Sequence, residues 1–397
     1  MNREQELQIL DSLLDFQIPT IPADTRFWMI RTQKGYFYDE FIAKNFVAIA
    51  WNTITKDTDF SEQGKEQLED TIFLQYPEIN RPSFVINKCI NFIHEIKEND
   101  ILVIPSKGSK YITFALAKEY FEDTTKSVEL EHTVIKKIQQ GDVNISDVSC
   151  PYRKRRRIEV LRTVPSERLD YSLYRAISNY HGISNFDAYA HQILCTLYNY
   201  YIFNDSAVLV YNICKQDSIK PRELSALLYS CATCLSFIVD ERHISAKMSL
   251  HSPGDSIYII DNIKNIVTWA KDNWTIIFGF LVVFGGGTAF SFHVPGVIEI
   301  VKNILSAKSE IKSKECDAQS KKLDNDIKEL ELLSKRLELY EKIEKMNISP
   351  ESLSDSLKML HTSAVSLKSE PIILRTPSTQ IPEDETLEIA DSDVYPE

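Results

Sequence analysis

The chain has no catalytic signature of the common kinds. No G-x-S-x-G, no H-E-x-x-H and no G-x-x-x-x-G-K-[ST] occurs in its 397 residues. Those absences remove the nucleophile-elbow hydrolases, the helical zinc proteases and the P-loop nucleotide hydrolases. Gly285-Gly-Gly287 is not followed by the Lys-Ser/Thr pair that a phosphate loop needs. Cysteine is scarce in the patterns that hold metal. Cys231-Ala-Thr-Cys234 is a single Cys-x-x-Cys with no second pair and no His-x-x-x-His to complete a tetrahedral zinc site. It reads as part of an apolar helix that begins at Pro221. The histidines (His94, His132, His181, His191, His243, His251, His293, His361) are scattered and form no ligand set. No metal and no cofactor is expected, and enzymatic activity is not expected either. The opening residues Met1–Phe16 are charged and amphipathic, unlike a secretory leader. The 7 cysteines are odd in number and scattered, so they are expected as reduced thiols in the cytoplasm.

Charge is missing in two places. Between Asp272 and Glu299 no Asp, Glu, Lys or Arg occurs, and from Ile381 to Glu397 there is no Lys or Arg. The net charge of -12 excludes a generic polyanion binder. Against it stands one basic run: Arg153, Lys154, Arg155, Arg156 and Arg157.

Along the chain, residues 1–24 read as an amphipathic helix with Leu7, Leu10, Leu13 and Leu14 on one face, ended by the prolines of Ile18-Pro-Thr-Ile-Pro22. Strand patterns follow at 27–31, 46–51, 101–104, 111–117, 128–134 and 158–164, with helices at 39–44 and 84–96. Short strands mixed with helices over such a length predict a compact α+β domain at 25–165, a curved sheet or partial barrel. A second α+β unit is expected at 186–262. It is followed by the hydrophobic segment 273–298, a helical or coiled-coil region at 299–362 and a disordered acidic tail at 366–397. Ser349-Pro350 reads as the cap and first residue of its last helix.

Trp28-Met-Ile-Arg31, Gly35-Tyr-Phe-Tyr-Asp-Glu-Phe41, Val47-Ala-Ile-Ala-Trp51, Asn99-Asp-Ile-Leu-Val-Ile104 and Ile112–Lys118 together resemble the N-terminal module fused to Mrr-type restriction endonucleases. That module is similar to the EVE and PUA-like group. The chain departs from the pattern at Ala50 and Asn99, where glycine is usual. The resemblance implies a PUA/EVE-like pseudo-barrel that holds a flipped or modified base. The nuclease usually joined to it needs an Asp followed by Glu/Gln-x-Lys on a strand. Glu95-Ile-Lys97 and Glu310-Ile-Lys312 have that spacing but fall on predicted helices.

A base pocket requires an aromatic face, convergent polar groups and cations for phosphate. Trp28, Tyr36, Trp51, Asn52, Ser106, Lys107 and Lys110 are the ligand-binding candidates, and Trp28 and Trp51 read equally as core residues ending or starting apolar strands. Arg153–Arg157 are the phosphate-contact candidates, or else the charged edge of a sheet. Trp274, Phe280, Val283, Gly285, Gly286 and Gly287 mark the membrane-segment candidate. The run is long enough to span a bilayer, but its glycines and lysine-rich C-terminal flank (Lys302, Lys308) fit a hairpin better than one span. The same run also reads as the buried core of an oligomer. The combined expectation is a non-enzymatic sensor in bacterial antiviral defence that reads a modified nucleic acid or nucleotide. It would assemble as a homo-oligomer and act at the inner face of the cell membrane. The alternative is a soluble oligomeric scaffold.

Overall fold

The computed structural model describes residues 3–141, 148–179, 182–215, 217–248, 254–263, 274–285, 300–307 and 323–370. The fold is mixed α+β, as expected, with two sheets. The chain divides into two compact units. The first gathers 3–29, 164–179 and 184–370, and the second holds 30–163 with 182–183. The second unit is therefore inserted, in sequence, between two parts of the first.

In the inserted unit the strands Phe46–Ile49, Lys154–Pro165, Tyr111–Glu122 and Ile101–Pro105 are neighbours in that order. Val47 faces Arg156 and Leu102 faces Ala115 in antiparallel register. The apolar strands 46–49 and 101–105 are buried along their whole length, which accounts for their unbroken hydrophobic runs. Helices Glu62–Gln75, Pro82–Ile90 and Val128–Gln140 accompany them. The residues 128–134, expected as a strand, form the start of that last helix. Ser127 caps it by accepting from the Leu130 N–H, and Gly141 closes it in the left-handed conformation at φ +73°.

The first unit has one continuous core. The N-terminal helix, the 186–262 region, the hydrophobic segment and the C-terminal helices, expected as separate parts, all contribute to it. Its sheet orders Thr20–Ile21, Tyr200–Phe203, Ser206–Ile213, Gly254–Asp261 and Ile244–Met248, with Ser369–Glu370 also paired to Ser206–Ile213. Helix Pro221–Ser236 packs on helix Pro350–Ser366. Ser349 caps the latter by accepting from Ser352 N–H, as its sequence predicts. Cys231 and Cys234 are fully buried, and burial drives both thiols up, Cys234 to about 12. They are core residues.

The hydrophobic segment departs furthest from expectation. Its described part is a helix, Trp274–Gly285, of 12 residues. At ~1.5 Å per residue it reaches about 18 Å, short of a hydrocarbon layer of about 30 Å. Among the described residues no helix is long and apolar enough to cross a membrane. Trp274 and Phe280 are buried in the unit's own core, with Val283 packed at its margin. Gly279 lies against Leu13 of helix Arg3–Leu14 and Phe16 just after it, and Gly285 lies so close to the Tyr211 ring that no side chain fits between. The Tyr211 hydroxyl donates to the Leu281 carbonyl at 3.0 Å. The segment's apolar character is thus used against neighbouring helices and a sheet. Gly286 and Gly287, where a hairpin was expected, lie outside the described residues, as does the expected acidic tail beyond Glu370.

Helix Leu323–Lys345 falls in the expected helical region. Leu332, Leu333, Leu339 and Ile343 are buried, while Leu330 is exposed. The helix packs on the N-terminal helix, and Arg336 pairs with the buried Glu6 at 2.6 Å.

Candidate functional site

Strand Phe46–Ile49 ends in a turn whose geometry is unusual. Trp51 holds φ at +69°, a conformation that an aromatic residue rarely adopts. Its backbone is gripped on both sides. The Trp51 N–H donates to Glu131 Oε1 at 2.7 Å, and the Asn52 N–H donates to Glu131 Oε2 at 2.8 Å. The Tyr76 hydroxyl donates to the same Oε2 at 2.9 Å. On the carbonyl side, Lys154 Nζ donates to Trp51 O at 2.5 Å and to Ile54 O at 2.9 Å. Asn52 completes the clamp: its amide donates to the Ser127 and Pro151 carbonyls, and its Oδ1 accepts from the Arg153 N–H.

The local sequence accounts for these placements. Side chains alternate across a strand, so the run that begins strand Lys154–Pro165 sends Lys154 and Arg156 inward while Arg155 and Arg157 take the other face. Lys154 is 0% exposed and Glu131 3% exposed. Burial lowers the Lys154 ammonium from the ordinary lysine value, and the nearby Glu131 and Glu122 carboxylates act against that shift. A buried carboxylate and ammonium that each satisfy backbone groups fix a conformation that would otherwise relax.

The clamp positions an aromatic surface. Trp51 is half-buried. Lys88 Nζ lies 5.9 Å from its centroid and 4.4 Å from that of Phe84, one helical turn before Lys88. Phe84 is 60% exposed, an uncommon setting for a large apolar ring. Burial also lowers the Lys88 ammonium below its ordinary value. The Thr53 hydroxyl donates to Gln75, which brings the end of helix Glu62–Gln75 beside the turn. Two rings, a cation and a hydroxyl–amide pair therefore share one stretch of surface.

The other expected residues are placed differently. Trp28 is 3% exposed, with the Arg26 guanidinium 5.5 Å from its ring, and belongs to the core. Asn52 is buried, and its amide is committed to the turn rather than to a ligand. Ser106 is buried too and accepts from the Tyr111 N–H. Tyr36 and Lys107 form a pair of their own at 4.6 Å, and Lys110 stands over Tyr111. No hydrogen bond, ion pair or ring contact joins Tyr36, Ser106, Lys107 or Lys110 to Trp51 or Asn52. The expected single pocket resolves into the Trp51 turn and a separate Tyr36–Lys107 pair.

Most of the basic run is committed within the unit. Arg153 pairs with Glu122 at 2.9 Å and Arg155 with Asp123 at 3.1 Å. Arg156 is buried and donates to the Lys118 and Phe92 carbonyls. With Lys154 holding the Trp51 turn, only Arg157 keeps a largely solvated head, 3.8 Å from Glu119. Glu122 is pushed up by burial, but the Lys56 N–H, the Tyr120 hydroxyl and Arg153 outweigh this and hold it below the usual carboxylate range. A carboxyl depressed in the folded state stabilises above its unfolded pKa, and that stability is lost as pH falls through the folded value. Urea denaturation from neutral pH down to about pH 3 should show falling stability, with a shallower fall in Glu122→Gln. An equal fall in the variant refutes the assignment.

Sequence reasoning missed Phe84, Lys88, Tyr76 and Glu131. The Phe84–Lys88 pair at helical spacing was a readable signal once Phe84 was recognised as facing away from Val85, Ile86 and Cys89. The inward Glu131 had none. Nothing at the turn is arranged for covalent chemistry. Burial raises Cys89 to about 11 and Cys150 to about 12, so neither is a thiolate near neutral pH. Among the described residues no group of three or more His, Cys, Asp or Glu side chains is placed to hold a metal. The arrangement is suited to binding a ring.

Comparison with family models, curated proteins and solved structures gives no match.

The strain at Trp51 makes a specific demand. A left-handed conformation disfavours a side chain by about 1–2 kcal/mol, and glycine is free of that cost. Trp51→Gly should therefore be more stable than Trp51→Ala by about 1 kcal/mol, reversing the usual order outside such positions. Denaturant midpoints of the two variants decide it. Alanine equal to or above glycine refutes the strained turn.

Proposed function

We propose that the inserted unit is a recognition module that takes a planar ring, the unstacked base of a nucleic acid, against Trp51 and Phe84, with Lys88 supplying the cation for phosphate. The observation that carries this reading is the Trp51 turn: a disfavoured backbone conformation, fixed by a buried Glu131–Lys154 clamp, that leaves an indole at the surface beside an exposed phenyl ring. Strain of this kind concentrates at binding and catalytic positions. Base-on-aromatic stacking contributes about 1–3 kcal/mol per base. The resemblance to a PUA/EVE-like module, which would use its aromatics in the same way, supports this reading.

The test is fluorescence anisotropy with short single-stranded DNA and RNA oligonucleotides, with and without modified bases. Trp51→Ala and Phe84→Ala should each weaken binding by about tenfold or more, since each removes one stacking surface. Lys88→Gln should flatten the salt dependence by about one phosphate contact. Absence of binding, or unchanged binding by Trp51→Ala, defeats the reading.

A second reading has its own observation. Phe73 is 58% exposed and Leu74 82% exposed, next to Gln75 at the edge of the turn. With Phe84 they give an apolar surface of the sort that partner proteins cover. Leu74→Asp separates the two, because it should abolish a protein contact and leave oligonucleotide binding intact.

On the first reading the whole chain is a sensor of nucleic acid in bacterial defence, and the other unit provides its assembly or effector half. Helix Trp274–Gly285 serves in that role as part of the unit's core.

A further inference from the structure

The unit formed by 3–29, 164–179 and 184–370 carries a cleft of its own, of about 440 Å³, lined by Tyr171, Ser172, Arg175, Ala176, Asn179 and Tyr189. That volume falls within the range of small-ligand sites. We propose that this cleft binds a nucleoside phosphate, with the base against the tyrosines and the phosphate on Arg175. The proposal goes beyond the Trp51 reading and does not depend on it.

Helix Tyr171–Asn179 buries Leu173, Ala176 and Ile177. Helical spacing then places Tyr171, Arg175 and Asn179, each four residues apart, along the opposite side. These three are exposed, Tyr171 to 75%. Among the described residues none of them makes a hydrogen bond, ion pair or ring contact. An aromatic ring, a guanidinium and a carboxamide in one row offer a stacking face, a fork for phosphate oxygens, and a donor–acceptor pair for a base edge.

The opposite wall is held rigid. Tyr189 closes a short 3-10 turn, Asp187–Tyr189, and its ring lies 5.2 Å from that of Phe186. Asp187 accepts from Arg26 Nε at 2.6 Å, from the Phe27 N–H at 2.8 Å and from the Asn185 amide at 2.8 Å. The Phe186 N–H donates to the Phe27 carbonyl at 2.7 Å. Four hydrogen bonds thus fix the loop that carries Tyr189, and a fixed wall lowers the ordering cost of binding.

The start of the helix is not where the phosphate would sit. Asp170 already accepts from the Ser172 N–H at 2.9 Å and from the Ser172 hydroxyl, and its charge repels an anion there. Gln192 donates to the Ser172 hydroxyl from the other side at 3.3 Å. The free cation of the cleft is Arg175, one turn further along. A guanidinium next to an aromatic ring suits a phosphate joined to a planar base better than either part alone.

Calorimetric titration of the full chain with ADP tests this. ADP should bind, and adenosine or inorganic phosphate alone should bind at least about tenfold more weakly, since each meets only half of the site. Arg175→Gln and Tyr171→Ala should each weaken ADP binding by about tenfold, with unchanged circular dichroism because both residues are exposed. Trp51→Ala should bind ADP as the parent does. The proposal is overturned if ADP fails to bind, if both cleft variants bind like the parent, or if binding is lost only in Trp51→Ala. In that last case the nucleotide belongs to the Trp51 turn.

Discussion

A chain carrying Phe280→Asp is expected to lose the folded state of the unit that contains it. Phe280 is 1% exposed, stacks near Phe284 at 6.0 Å, and is one of many apolar side chains in a single core. A carboxylate there has no cation on its own helix, which carries no charged residue. Burying it without a partner costs several kcal/mol, and losing the phenyl ring costs about 3–5 kcal/mol more. A domain's entire stability is about 5–15 kcal/mol. Loss of cooperative melting and rapid limited proteolysis are the expected readouts. Val283→Asp, at the margin of the same core, should be milder. The pair also separates two views of the segment. A membrane element with charges added would leave a folded protein that no longer pellets with lipid. A folded, protease-resistant Phe280→Asp chain would show that the helix is not held in this core.

The second large effect is expected at Lys154. Its ammonium is a donor to the Trp51 and Ile54 carbonyls and a buried cation that interacts with the Glu131 carboxylate. Lys154→Ala leaves two buried carbonyls short of a donor, opens a cavity, and removes a buried cation that balances the Glu131 carboxylate. Removing one partner from such a set costs about 3–5 kcal/mol. Lys154→Met restores the volume without the donors, so it should recover only part of the loss. Urea denaturation followed by tryptophan fluorescence measures both. A methionine variant as stable as the parent would mean that the ammonium holds nothing in place. Ring binding should fall in parallel, because the Trp51 turn is free to relax.

Those two positions also mark what could and could not be read from the sequence. Strands 46–49, 101–105 and 111–122 were legible because buried strands leave long runs of β-branched and aromatic residues. Helix Pro221–Ser236 and the cap at Ser349 were legible because proline and serine act locally. The basic run was not. Five cations in a row look solvated, and only the strand's alternation together with the Phe92, Lys118, Trp51 and Ile54 carbonyls turns two of them inward. Those acceptors are distant in sequence, and nothing local announces them. Residues 128–134 were read as a strand because Val128, Leu130 and Val134 suit both periods over so short a stretch. Ser127 and Gly141, at the two ends, decide for a helix. The candidate site was half legible. Trp51 was named from the resemblance, but its partners Phe84 and Lys88 come from a helix, and the residues that hold it are charges in the interior.

The insertion of one unit into the other sets an order on synthesis. Glu6 pairs with Arg336 across a separation of 330 residues, and Ser369 pairs with Ile213 on the sheet. The inserted unit, whose described residues are all made once residue 183 has emerged, can fold while the chain is still growing. The surrounding unit cannot close until its last helices are made. Through that interval the stretch Trp274–Phe284 waits without helix Pro350–Ser366, its most extensive partner, and leaves an apolar surface that other chains can reach. Contacts this far apart slow folding and lengthen that exposure. The yield of this protein is therefore expected to respond to the speed of translation and to chaperones that shield a nascent chain. The step they influence is the docking of helix Leu323–Lys345 onto helix Arg3–Leu14.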